Sequence, residues 1–310
     1  MSKVEFGVML RQQKIDFGEI KAAAQLCDSL GYDSVWFYDH VLGQGIIGID
    51  ILEPWTLMSA LSTVTENVKL GTMVLCNGFR HPPLLAKMAA TLDYISQGRL
   101  EFAIGAGWFE QEFTTYGYDY PDAPTRIEQL RESATILKSM WTNEESTFKG
   151  RHFQIDGAIC NPKPVQKPFL PLTIGGNGEK HLLRVVAEIA DVWNCPASSA
   201  LEFDKKYAAL KQHCQDVGRN IDDITISQQT VCVLVNNESE LEEKLEKGQR
   251  RYGFFGIVGE LGIVGTPEQC IEKIKADVEK GISKYTIFFS DVMKKETLEL
   301  FAKEVIPEFR

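Results

Sequence analysis

With 33 Lys and Arg against 43 Asp and Glu in 310 residues, the chain carries a formal net charge of -10. That balance argues against nucleic acid and against anionic membrane surfaces, both of which reward a basic face, and no local Lys/Arg cluster reverses it. The length suits two ordinary domains or one α/β barrel of roughly 250 residues with insertions, and 44% hydrophobic with 25% charged residues is an ordinary globular composition.

The opening MSKVEFGVML has no long apolar core ahead of a small-residue cleavage site, so no signal peptide is expected. No uninterrupted apolar stretch approaches the ~20 residues of a membrane span. FFGIVGELGIVG, at 254–265, comes nearest and is broken by glycines and Glu260. Seven cysteines lie scattered without a CxxC pair, which points to a reduced cytoplasmic protein without structural zinc.

Taken in chain order, VEFGVML (4–10) predicts a strand and 17–30 a helix that stops at Gly31. SVWFY (34–38) predicts the second strand, and Glu53-Pro54 opens a helix over 54–65. VKLGTMVL (68–75) is the third strand, with a helix over 82–96 that starts at Pro82-Pro83 and stops before Gly98. LEFAI (100–104) is the fourth; Pro124-Thr125 then opens a helix over 124–141. The segment 146–171 breaks the rhythm with a hairpin and a Pro-rich extended stretch. PLTI (171–174), DVWNC (191–195), ITISQQTVCVLV (224–235) and KYTIFF (284–289) add four strands, with helices over 179–190, 202–217, 267–280 and 294–305. The tract 236–265 is less regular, a charged solvated helix over 238–250 followed by glycines.

Most strand runs are continuously apolar, as in a parallel sheet covered on both faces. Eight strand–helix repeats read as an α/β fold, a (β/α)8 TIM barrel with insertions, in one domain spanning 1–310. A doubly wound sheet would need a Gly-rich turn after the first strand, where this chain has LRQQKIDFG.

Chemistry in such barrels gathers at the C-terminal ends of the strands. Here those ends are Tyr38-Asp39-His40, then Cys76-Asn77-Gly78-Phe79-Arg80-His81, then Gly105-Ala106-Gly107-Trp108 with Glu110 and Glu112 close behind. The fifth is Gly175-Gly176-Asn177-Gly178, a glycine loop between a strand and a helix. It reads either as a phosphate seat of exposed main-chain N–H groups at a positive helix end or as a turn that needs glycine only for its backbone. Cys76 reads as a reactive thiol or, more in keeping with free cysteines, as a small packed hydrophobe. Arg80 and His81 read as anion contacts or as solvated rim. Trp36, Trp55, Trp141 and Trp193 sit in regular elements and read as core. Glu132 and His152 have no partner that the sequence identifies.

DSVWFYDH, VKLGTMVL, ISQGRLEFAIGAGWFEQEFTTYGYDYP, NPKPVQKPFLPLTIGGNGEKHLLRVVAEIADVWN and HCQDVGRN together resemble the bacterial-luciferase-like superfamily, and most its coenzyme F-420-dependent oxidoreductase branch. The resemblance runs from about residue 4 to residue 235 and more faintly to the end. It implies a flavin or deazaflavin in the barrel mouth, on a bulge after strand three that often holds a non-proline cis peptide, here Met73-Val74 with Cys76 just beyond. Gly105, Ala106 and Gly107 would clear space beside that flat cofactor, with Trp108, Phe79 and Glu112 lining the substrate side. Gly175, Gly176, Asn177 and Gly178 would hold phosphate. Asp39-His40 matches a pair that the sugar-phosphate dehydrogenases of this branch place near the deazaflavin, His40 assisting proton movement, a task that suits an imidazole. The plainer role for His40 is a hydrogen bond that caps the strand. Those dehydrogenases carry a catalytic Glu directly after the glycines, where this chain has Trp108, which argues against glucose-6-phosphate-type chemistry.

The resemblance thus implies hydride transfer between C5 of coenzyme F-420 and a small-molecule substrate. An FMN-dependent monooxygenase is the alternative, and a non-catalytic flavin-binding relative a third. Relatives of this kind are commonly homodimers.

Overall fold

The computed structural model describes residues 3–43 and 48–310. Its strands are β1 (Glu5–Met9), β2 (Ser34–Phe37), β3 (Lys69–Thr72) with its short continuation β4 (Leu75–Cys76), β5 (Leu100–Gly105), the antiparallel hairpin β6 (Ser146–Lys149) and β7 (Gln154–Ala158), β8 (Leu172–Gly175), β9 (Val192–Cys195), β10 (Thr225–Leu234), β11 (Ile263–Gly265) and β12 (Ile282–Phe289). Eight of them, β1, β2, β3, β5, β8, β9, β10 and β12, pair in parallel in that order, and β12 closes back on β1. All eight coincide with the expected runs, and the hairpin falls where the rhythm breaks.

The barrel helices are α1 (Phe17–Ser29), α2 (Pro54–Leu61), α3 (Pro82–Ile95), the short α4 (Glu110–Tyr116), α5 (Ala123–Thr142), α6 (Leu182–Ile189), α7 (Phe203–Val217), α8 (Leu241–Tyr252), α9 (Val258–Leu261), α10 (Pro267–Glu279) and α11 (Lys295–Leu300). Their starts follow capping chemistry: Asp16 and Glu19 form a capping box on α1, and Thr266 and Gln269 form one on α10. The fifth expected helix begins three residues late, at Leu182, because 177–181 stay in the loop. Within the irregular tract, β11 extends the end of β10 through Cys232–Ile263 and Leu234–Gly265 pairing.

Alternation along each strand separates two cores. Phe6, Val8, Val35, Phe37, Phe102, Ile104, Leu172 and Ile287 point outward and are buried under the helices. Trp55, Trp141 and Trp193 join this layer, and Trp36 fills the barrel's interior. A Cβ on Gly7 would lie 2.4 Å from Trp36 Nε1, and one on Gly71 2.5 Å from Trp36 Cζ3, so these glycines admit the indole. Beneath it Glu101 is held by Lys284 at 2.7 Å and Lys69 at 3.1 Å, and Lys284 also reaches Glu5 at 3.3 Å. Burial alone would raise the Glu101 carboxyl; the two ammonium groups hold it below the usual carboxylate range. This polar floor seals the N-terminal end and leaves the other end for chemistry.

Candidate active site in the barrel mouth

Tyr38, Asp39 and His40 follow β2 out of the barrel. His40 Nδ1 lies 2.7 Å from Glu112 Oε2, and Glu112 Oε1 accepts the N–H groups of Val41 at 2.8 Å and Leu42 at 2.9 Å. A carboxylate only accepts, so it selects the tautomer with the proton on Nδ1. The rings of Trp108 and Phe109 stand edge-on to the imidazole, centroids 5.8 and 6.1 Å away. Trp108, expected on the substrate side, is 66% exposed, whereas Glu112, expected there too, is 1% exposed and lies behind the imidazole. Two main-chain donors and a ring N–H hold this carboxylate inward.

Asp39 also turns away from the open space. Its Oδ2 accepts Cys76 N–H at 2.8 Å and Arg80 Nη1 at 2.7 Å, while Oδ1 accepts Arg80 Nη2 at 2.9 Å. Arg80 Nη2 reaches Glu53 Oε1 at 2.8 Å as well. Arg80 is therefore neither rim nor anion contact but a clamp joining the ends of β2 and β4 to the N-cap of α2. Glu53 caps α2 through the N–H groups of Trp55 and Thr56; burial would raise its carboxyl, and those bonds with Arg80 hold it below the usual range. His81 is exposed and stands edge-on to Phe153.

The peptide Met73–Val74 is cis, at the break between β3 and β4. Met73 packs inward with Met9, Trp36 and Ala103, and half-buried Val74 forms a shelf at the mouth. The glycines around it are already filled by protein. A Cβ on Gly105 would lie 2.8 Å from Val74 Cγ2, and one on Gly175 2.7 Å from Val74 Cγ1. A Cβ on Gly107, whose φ is +80°, would lie 2.8 Å from Cys76 Sγ and from Phe113 Cζ. Gly105 and Gly107, expected to leave room beside a flat cofactor, also admit these neighbouring side chains, and Ala106 packs against the outer core. Cys76 is buried, its thiol pushed up to about 12 chiefly by burial, and it behaves as packing. Phe79 stacks with Phe113 and Tyr118, centroids 5.1 and 5.0 Å away, and belongs to that aromatic cluster rather than to the substrate side.

In the 175–178 loop the donors shift along the chain. Gly175 ends β8, and Gly176 N–H is taken by Asn194 O at 3.2 Å, with Trp193 Nε1 on Gly176 O at 2.8 Å. Asn177 Nδ2 is taken by Ser199 Oγ. Among the described residues, the main-chain N–H groups of Asn177, Gly178, Glu179, Lys180 and His181 donate to no protein acceptor. Five consecutive unbonded donors ahead of α6 are what an anion needs. A groove of about 120 Å³ beside them is lined by Arg131, Lys180, His181 and Arg184 together with the carboxylates Glu128 and Glu188, the last paired with Arg184.

The far wall of the mouth is aromatic and was not anticipated. Phe288, on the inner face of β12, meets Tyr252 at 5.4 Å and Phe255 at 5.3 Å between centroids, and Phe254 beside them is exposed. Glu132, unassigned from sequence, accepts the N–H groups of Arg151, His152 and Phe153 and holds the β6–β7 turn; His152 Nε2 lies 2.9 Å from Glu128. A cleft of about 420 Å³ opens at the other end of the barrel near Asp28, Asp33 and Lys69. Asp28 there is committed to the N–H groups of Glu66, Asn67 and Val68.

A family model described as luciferase-like monooxygenase matches residues 1–256. A coenzyme F-420-dependent glucose-6-phosphate dehydrogenase of Microbacterium testaceum is 27% identical, over 99% of this chain and 98% of that protein. The 5,10-methylenetetrahydromethanopterin reductase of Methanopyrus kandleri is 23% identical over the full length of both. A solved coenzyme F-420-dependent secondary alcohol dehydrogenase, in complex with a coenzyme–acetone adduct, superimposes with a TM-score of 0.80 over 99% of each chain at 22% identity.

Proposed function

Because the chain belongs to the luciferase-like monooxygenase family, we propose that it is a coenzyme F-420-dependent oxidoreductase acting on a small organic substrate in the barrel mouth. The observation that carries this reading is the His40–Glu112 pair at 2.7 Å beside the Val74 shelf. An alcohol carbon can release hydride only if its hydroxyl loses a proton, and an oriented imidazole is the group to receive it. The full-length relatives that use coenzyme F-420 support the same cofactor here.

The residues present fit that cofactor. The unbonded N–H groups of 177–181 would hold its phosphate, the neighbouring cations Arg131 and Lys180 its acidic tail, and Val74 its ring. Bound there, the deazaflavin supplies a two-electron hydride acceptor or donor at C5. His40 takes the substrate's proton in the oxidising direction and returns it in the reducing one. Glu112 keeps the ring turned toward the substrate and stabilises the imidazolium while it lasts. Asp39, Arg80 and Glu53 hold the β2 and β4 ends that carry His40 and Val74. Trp108 and Phe109 shield one side of the imidazole from water. A homodimer and a cytoplasmic location belong to the same reading on the resemblance alone.

Equilibrium titration of the protein with coenzyme F-420 and with FMN tests it. Tighter binding of coenzyme F-420, and loss of about 10²- to 10⁴-fold in turnover on His40→Ala with unchanged coenzyme affinity, are the expected results. Tighter binding of FMN with substrate-dependent oxygen uptake would make the monooxygenase reading the correct one.

A further inference from the structure

Arg11 stands two residues past Met9 on the inward-facing row of β1. Glu5 meets Lys284 in the floor, a Cβ on Gly7 would meet Trp36, and Met9 packs on Trp36 and Met73, so the row Glu5, Gly7, Met9, Arg11 climbs the barrel's interior. The Leu10 N–H to Trp36 O bond at 2.9 Å keeps the β1–β2 pairing going past the strand's end and sets Arg11 beside Tyr38. Gln12 locks that register, accepting Tyr38 N–H at 2.9 Å and donating to Leu52 O at 2.7 Å. Arg11 is half-buried. Its charge acts on the phenols of both Tyr38 and Tyr252, each pushed up chiefly by burial.

Most other arginines have company. Arg80, Arg151, Arg184, Arg250 and Arg310 pair with carboxylates, and Arg99, Arg126, Arg219 and Arg251 donate to carbonyls. Arg131 is exposed on the surface. Among the described residues, Arg11 is the one shielded arginine with no carboxylate or carbonyl partner, and residues 44–47 are Gln, Gly, Ile and Ile, which bring no acid. A half-buried guanidinium without a counter-charge is only partly hydrated and favours an anion that completes it.

We propose that Arg11 is a specificity-determining residue: its guanidinium receives a carboxylate or similar oxyanion of a substrate whose apolar body lies against Tyr252, Phe255 and Phe288. This rests on the mouth being the substrate site, and it deepens that reading by naming the substrate class, an anionic molecule with an apolar or aromatic body. Trp108 and Phe109 close the side nearest His40, so such a molecule is clamped between two apolar walls with its charge at β1.

Calorimetric titration of the coenzyme F-420-loaded protein with benzoate and with its neutral near-isostere benzamide tests this. Benzoate is expected to bind at least about tenfold more tightly, as a charge-assisted contact allows. Arg11→Met should abolish the preference without altering coenzyme affinity, and Arg11→Lys, which keeps the charge and the fold, should retain part of it. Equal binding of the two probes, no binding of benzoate, or a preference that survives Arg11→Met overturns the proposal. So does a loss of coenzyme affinity in Arg11→Met with the probe preference intact, which would assign the guanidinium to the cofactor. The same probes titrated without coenzyme still read Arg11 if coenzyme F-420 proves not to bind, so the two failures are distinct.

Discussion

At the scale of single residues the decisive contact is the one between His40 and Glu112. Glu112→Gln keeps an acceptor for the Val41 and Leu42 N–H groups but turns an amide N–H toward Nδ1, so the imidazole must present its other tautomer. The expected outcome is a fall in kcat of about 10- to 100-fold, an altered pH profile of kcat and an unchanged coenzyme Kd; a variant with wild-type kcat and profile would reduce Glu112 to a loop anchor. The resemblance singles out His40 through the Asp39-His40 pair, and the apolar strand run before it fixes only its place at the barrel mouth. The partner of His40 was not legible in the sequence, because Glu110 and Glu112 are equivalent acids on paper and the contact spans 72 positions. The same distance problem hid Arg80, whose neighbours in sequence suggest a rim and whose neighbours in space are two carboxylates.

At the scale of elements, the mouth is held by short pieces tied together by charge. Arg80→Met leaves Asp39 buried with only the Cys76 N–H, and removal of one member of a buried pair costs about 3–5 kcal/mol. Chemical denaturation should show that loss at neutral pH. The sign with pH follows from Glu53, whose carboxyl is held below its usual value of 4.5: the stability it lends is present above that value and fades as pH falls through the folded one. The acid limb of the stability curve should therefore be shallower in Arg80→Met than in wild type; an equally steep limb would place the acid sensitivity elsewhere. The glycines divide in the same way. Gly176→Ala at φ +137° drives a Cβ to 2.2 Å from Leu182 Cδ2, whereas Gly178→Ala meets only an ordinary 3.4 Å contact with Leu182 Cβ. The first should lose about 1–3 kcal/mol and the second little, a contrast that thermal melts will read. From sequence the four loop residues look alike, since composition does not tell which amide a neighbouring strand takes.

At the scale of the whole molecule, a sealed polar floor and an open mouth give the barrel its direction. The eight strands were legible because parallel strands covered on both faces are apolar throughout, and proline or glycine marks most helix ends. The aromatic wall of Tyr252, Phe255 and Phe288 was not, because it joins β12 to a glycine-broken tract whose own pattern fits no single element. The proposed function requires a deazaflavin seated in this mouth with its phosphate on the N–H groups of 177–181. A crystal structure of the protein with coenzyme F-420 tests it most directly. The predicted result is a phosphate within hydrogen-bond distance of at least two of those amides, with the ring on Val74 and C5 facing the His40 side. A coenzyme bound elsewhere, or a phosphate that leaves all five amides to water, would contradict it.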